Sequence, residues 1–212
     1  VVAGGGPAGV PAAIAAARAG SRVILCQDRP VLGGNASSEV RMHVVGANFR
    51  RPETGWQTES RETGIIEEIR VEHGVQHPQR SPSMFDQILY EKVKDEPNIR
   101  LLLNTAVQEA VVEEGRITRV HAVRPSTEDR FVISARVFVD CTGDGGLGAS
   151  AGAPYYKGRE SREMYGESLA VETADEKTLG STLLFMARKH DRPMPFEAPA
   201  WARKFEAKDL TH

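Results

Sequence analysis

The chain has 212 residues, 27 of them Lys or Arg and 29 Asp or Glu, for a formal net charge of −2. That length suits one large domain, or one domain plus part of a second, and a near-neutral chain with no basic run gives no reason to expect a nucleic-acid partner. Its two cysteines, Cys26 and Cys141, form no cluster with metal-ligand spacing, and no apolar run approaches the roughly 18–20 residues of a membrane span, which excludes a disulfide scaffold, a zinc site and a spanning helix.

Val1–Ala3 reads as the end of an apolar strand, and Gly4-Gly5-Gly6-Pro7-Ala8-Gly9 as a tight turn. The alanine-rich run from Ala12 to Ala19 predicts a helix, with Pro11 in its first turn and Gly20 at its end. Arg22–Cys26 follows as a short buried strand, completing a strand–helix–strand unit. The polar, glycine-studded stretch from Gln27 to Gly64 reads as a long loop, and a loop of that length in a compact domain is usually functional.

Ser83–Lys94 predicts an amphipathic helix, with Phe85, Ile88, Leu89 and Val93 on one face, and Ile99–Leu103 the next strand. Val107–Glu113, Arg116–Val123 and Arg130–Ser134 read as an antiparallel meander with a Glu114-Gly115 hairpin turn. Arg136–Cys141 returns to a buried strand that ends in Thr142-Gly143-Asp144-Gly145. Beyond Gly152 the composition is mixed, with Leu179–Ala187 as a candidate strand of another sheet.

Gly4, Gly6 and Gly9 have the spacing of a dinucleotide-binding turn, and here they follow a strand and open a helix. Gly4 would permit the tight turn. Gly6 would leave room for a pyrophosphate, while Gly9 and Ala13 would let helix and strand pack closely. The helix N-terminus would then present free N–H groups and a partial positive charge to the phosphates. Gln27 departs from the pattern, because the end of the second strand usually carries a ribose-binding acid. Asp28, its neighbour, is the alternative ribose ligand, and Gln27 would then be a solvated strand-end residue.

The stretch Gln27 to Arg41, with Gly33-Gly34 within it, the inserted meander and the Thr142–Gly145 strand end together resemble the glutathione-reductase-type FAD fold. More closely, Val23–Ala47 and Phe138–Ala153 resemble the large FAD-dependent oxidoreductase family related to the fumarate reductase flavoproteins and the flavin subunit of heterodisulfide reductase. Gln27–Arg41 and Lys157–Ser161 are characteristic of one bacterial branch.

The resemblance implies FAD as cofactor. Gly4, Gly6, Pro7, Ala8 and Gly9 would hold its pyrophosphate, and Gln27 or Asp28 its adenosine ribose. Arg29, Gly33 and Gly34 would line the path to the flavin, the main chain of Val107 would contact adenine, and Gly143 and Asp144 would approach at the strand end. Disulfide reductases of this fold place a redox cysteine pair after the Gly-Gly segment. Asn35–His43 has no cysteine, so a dithiol relay is not expected and Cys26 and Cys141 read as small buried residues.

Arg41 and His43 alternate with Glu39 along the segment expected near the flavin ring. Arg41 could stabilise a reduced, anionic flavin and His43 could act as acid or base, and His43 is also a candidate for covalent attachment. The competing reading is a polar strand face that only packs the loop.

The expected fold is α/β: a Rossmann-like FAD-binding domain over 1–152, with an inserted antiparallel β-meander, and the start of a second, substrate domain over 153–212. The chain opens three residues before the first glycine and lacks a glycine-closed strand after Gly152 that would return to the flavin. It therefore reads as incomplete at its N-terminus and missing a C-terminal return segment.

The expected activity is transfer of hydride or electrons between a small organic substrate and a second acceptor, in a cytoplasmic protein of open oligomeric state. Two alternatives are a flavoprotein with a non-oxidoreductase role, such as a nucleic-acid-modifying flavoenzyme, and a degenerate nucleotide-binding module.

Overall fold

The structure is a computed structural model and describes residues 1–42, 44, 48–50, 57–59, 63–79, 81–183, 185 and 187–210. In chain order it contains β1 (Val2–Ala3), α1 (Gly9–Arg18), β2 (Val23–Cys26), β3 (Asn48–Arg50), β4 (Gln57–Glu59), α2 (Ile65–Gln76), α3 (Pro82–Lys94), β5 (Ile99–Leu102), β6 (Ala106–Glu113), β7 (Arg116–Arg124), β8 (Asp129–Ser134), β9 (Val139–Asp140), α4 (Gly146–Ser150) and α5 (Arg162–Tyr165). The chain divides into two compact units, Val1–Thr178 and Leu179–His212.

In the first unit a four-stranded sheet runs β5-β2-β1-β9, with every neighbouring pair parallel. β1 is only two residues long, but both are buried and it pairs on both sides. Parallel strands need crossovers, and α1 supplies the one between β1 and β2. The small side chains of Ala13 and Ala17 and the larger Val10 and Ile14 form the buried face of α1. Val10 and Ile14 pack with Leu25, Ile88, Leu89 and Val93 into one core. Ile14 is wholly buried, and truncating such a residue to Ala typically costs about 2–5 kcal/mol.

Helix α2 lies in a stretch where the sequence reading assigned no element. Only Ile69 on it is fully buried, so its apolar stripe is weak, and ion pairs line its edge. Arg18 of α1 pairs with Glu68 of α2 at 2.8 Å and with Glu96 at 2.6 Å. Lys92 of α3 reaches Glu68 at 2.8 Å and also pairs with Glu72. The Arg18 and Lys92 hydrogen bonds draw the Glu68 carboxyl down to about 2.

The meander is present as an antiparallel sheet ordered β6-β7-β8. Glu114 (φ 50) and Gly115 (φ 73) both take positive φ at its first turn, as a two-residue type I′ hairpin requires. One face buries Ala110, Val120, Ala122 and Ile133 against Leu147 of α4.

Three expectations differ from what is observed. The long polar stretch after Gln27 is not wholly loop, since β3 and β4 pair antiparallel within it. The strand expected over Arg136–Cys141 contracts to Val139–Asp140 and is exposed, because β9 has a partner on one side only and leaves Val137 and Val139 facing outward.

Within the first compact unit, the segment after Gly152 folds back on itself. Arg159 and Asp175 pair through their backbones and through a two-pronged ion pair, closing the 159–175 segment on itself. Among its described residues the second unit has a single 3-10 turn, at Ala207–Leu210, and those over Leu179–Ala187 form no strand. Among the described residues no helix is long and apolar enough to cross a membrane.

Candidate dinucleotide site

Strands β2 and β9 flank β1, and the chain leaves them in different directions, so the carboxyl ends open into a crevice. Such a switch point is where open parallel sheets bind ligands. A cleft of about 760 Å³ occupies it. The glycine turn forms its floor, Gln27, Asp28 and Arg29 one wall, Gly34, Asn35, Glu39 and Val40 a second, and Thr105–Val107 with Asp140–Gly143 and Gly145 the remainder.

The glycines divide by function. Gly4 has φ +97, and a Cβ on it would fall 2.1 Å from the Cys141 carbonyl oxygen. A Cβ on Gly9 would fall 1.8 Å from the Gly4 carbonyl oxygen. Both are required by the protein's own packing. Gly6 is different: the nearest atom to a Cβ there is Gly34 Cα at 3.9 Å. The protein does not need Gly6 bare, which leaves the space above it for a ligand. The N–H groups of Gly6, Ala8 and Gly9 have no backbone partner among the described residues, and α1 is ten residues long. A diphosphate fits such a cradle, where free donors and the positive end of the helix dipole converge.

Gly33 (φ +108) and Gly34 (φ +52) shape the second wall. Gly33 donates its N–H to the Gly5 carbonyl at 2.8 Å, bracing the floor from behind. Gln27 is 3% exposed. Its Oε1 accepts the Gly5 N–H at 2.7 Å, and its Nε2 donates to the Val31 carbonyl at 3.2 Å. Arg29 makes a two-pronged pair with Glu39 at 2.9 Å for each contact, and that pairing holds the Glu39 carboxyl below its usual range.

Asp140 was not singled out from the sequence. Its Oδ2 accepts the Gly148 N–H at 2.7 Å, and its Oδ1 accepts the Thr142 N–H at 3.0 Å and the Thr142 hydroxyl at 2.7 Å. Thr142 Oγ1 in turn accepts the Gly146 N–H at 2.7 Å. Burial pushes the Asp140 carboxyl up, but hydrogen bonds from Gly148, Thr142 and Leu147 outweigh it and hold the group below its ordinary value. The network fixes the Thr142–Gly145 turn onto α4. A carboxylate at the end of a strand, just before Cys-Thr-Gly-Asp, was the available signal.

Among the expected cofactor residues, Gly4, Gly6, Pro7, Ala8, Gln27, Asp28, Arg29, Gly34, Val107 and Gly143 line the cleft. Gly9 and Gly33 stand behind it as bracing, and Asp144 is exposed outside the lining. Arg41 does not line it either. It sits at φ 64, with its Nε donating to the Ser38 carbonyl at 3.0 Å, one residue past the lining residue Val40. His43 lies outside the described residues. Burial pushes the Cys26 thiol up to about 11, and burial likewise raises Cys141. Both are therefore protonated thiols near neutral pH and poor nucleophiles.

A family model described as FAD dependent oxidoreductase matches residues 1–212. No curated protein matches the chain. Several solved structures do. The L-proline dehydrogenase of P. horikoshii matches at 15% identity and TM-score 0.49, over 73% of this chain and 56% of its own. A geranylgeranyl bacteriochlorophyll reductase-like protein of Thermoplasma acidophilum matches at 16% identity and TM-score 0.46, over 74% and 43%. The p-nitrophenol 4-monooxygenase of Pseudomonas putida matches at 15% and 0.46, over 74% and 44%.

The chain thus spans between about two fifths and a little over half of these proteins. The match over residues 1–212 shows that the chain belongs to the FAD dependent oxidoreductase family, with FAD as its cofactor.

Proposed function

We propose that this chain holds FAD across the cleft for an enzyme that moves hydride or electrons between a small organic substrate and a second acceptor. The observation that carries the reading is the bare Gly6 facing open space beside the N–H groups of Gly6, Ala8 and Gly9, which have no backbone partner among the described residues. When bound, FAD supplies the redox chemistry, and the protein supplies binding, orientation and charge. The turn would hold the pyrophosphate. Val107 would meet the adenine with its main chain, and Arg29, Gly34 and Gly143 would border the path toward the flavin. Asp144, outside the cleft lining, keeps the weakest support of the proposed cofactor residues.

Arg41 and His43 are proposed to act near the flavin ring, and residues 1–152 to form the cofactor-binding domain, with 153–212 opening the substrate domain. A soluble, cytoplasmic setting is part of the same proposal.

The test is anaerobic bleaching of visible flavin absorbance by candidate organic reductants. Arg41→Ala and His43→Ala should slow bleaching while FAD content stays normal. Unchanged bleaching rates in both variants would remove them from the chemistry.

A further inference from the structure

We propose that Gln27 is a strut that shapes the glycine turn, and that Asp28 takes over recognition of the adenosine ribose diol. The inference rests on the FAD reading above and deepens it.

Gln27 bridges two backbone groups of opposite kind. Its amide oxygen accepts the Gly5 N–H and its amide nitrogen donates to the Val31 carbonyl. Its own backbone is fixed as well, donating to the Leu102 carbonyl at 2.9 Å and accepting the Thr105 N–H at 2.7 Å. Only a side chain with both a donor and an acceptor at its tip satisfies Gly5 and Val31 together. A carboxylate, the usual residue at this strand end, would accept from Gly5 but turn a negative charge on the Val31 oxygen. The departure from the dinucleotide pattern is therefore an exchange: a ribose ligand is given up for a tie between the turn and the loop that leads to Gly33.

Among the described residues three carboxylates line the cleft: Asp28, Glu39 and Asp140. Glu39 is clamped by both prongs of Arg29. Asp140 spends both oxygens on Thr142 and Gly148. Asp28 is exposed on the cleft wall and makes no hydrogen bond through its carboxylate among the described residues. A carboxylate with both oxygens open is a good acceptor for two vicinal hydroxyls, and charged acceptors make the stronger hydrogen bonds. Asp28 is thus the specificity-determining group, and Gln27 a positioning residue.

The experiment is equilibrium titration of the full chain with FAD and with FAD carrying a 2′,3′-dideoxyadenosine, alongside thermal unfolding without flavin. Gln27→Glu should lower the unfolding temperature of the flavin-free protein and weaken FAD about tenfold, as loss of one buried hydrogen bond would. If Gln27 instead contacted the ribose, Gln27→Glu would restore the usual acid and bind FAD as tightly or more tightly. That result overturns the inference.

Asp28→Asn should weaken FAD about tenfold, leave the flavin-free unfolding temperature unchanged, and bind the dideoxy analogue no worse than the parent does. Equal weakening of Asp28→Asn toward FAD and the analogue assigns the diol elsewhere and overturns the second half. Failure of the parent itself to bind FAD overturns the reading beneath both.

Discussion

The Cys141 carbonyl oxygen lies 2.1 Å from where a Cβ on Gly4 would sit, so the end of β9 is packed directly onto the first glycine of the turn. This contact joins the two strands that border the cleft. It sets Gly4 apart from Gly6, although the two look alike in the sequence.

Gly4→Ala should therefore damage the fold and not merely the site. The new methyl meets backbone that cannot move aside, and the residue must hold φ +97, where alanine is strained. A loss of several kcal/mol, or failure to accumulate as folded protein, is expected from overpacking of this kind. Circular dichroism and thermal unfolding of the variant measure it. A Gly4→Ala protein as stable as the parent would show that the β1–β9 contact is not as tight as described.

Asp140→Asn should loosen the Thr142–Gly145 turn. The amide keeps one acceptor for Gly148 or Thr142 but loses the charge, at a cost of about 1 kcal/mol for a network this close to solvent. The folded carboxyl is held below its ordinary value of 3.8. Its stabilisation is therefore complete above that value and is lost as the pH falls below it. Unfolding followed against pH should show the parent losing part of its advantage over Asp140→Asn in acid. A constant difference from neutral pH to strong acid would contradict the assignment.

Glu68 makes a second acid-sensitive point, away from the cleft. Its carboxyl falls from an ordinary 4.5 to about 2 through Arg18 and Lys92. The contribution is therefore intact above 4.5 and disappears as the pH drops toward 2. The side chain is over a third exposed, so screening limits the effect to less than about 1 kcal/mol. Glu68→Gln should lower the unfolding temperature slightly at neutral pH and not in strong acid, and the difference should shrink in high salt. A salt-independent difference would mean that packing of α2, and not charge, holds it.

The glycine turn was legible in the sequence because each of its requirements is local: a positive φ, a missing Cβ and an alanine-rich helix directly after. The meander was legible for the same reason, through alternation and the Glu114-Gly115 turn. The Asp140 network was not. It depends on Gly148 folding back onto β9, and α4 is a five-residue helix of two glycines, an alanine and a serine around a single Leu147, which carries no periodic signal. The Arg29–Glu39 pair joins positions ten apart on an irregular segment, a spacing that neither helix nor strand geometry picks out. Helix α2 escaped because a single fully buried residue, Ile69, gives it too little apolar stripe to read. Gln27 was visible as a departure, but its two backbone partners are set by the path of the loop to Gly33, which no short-range pattern encodes.

The central claim is that FAD lies over Gly6, in space the protein leaves empty. Equilibrium titration of the Gly6→Val chain with FAD, beside the parent, tests it most directly. A Cβ there meets only Gly34 Cα at 3.9 Å, so the variant should unfold at nearly the parent's temperature while FAD affinity falls at least a hundredfold, about 2.7 kcal/mol. A folded Gly6→Val protein that takes up a full complement of FAD with the parent's affinity would contradict it.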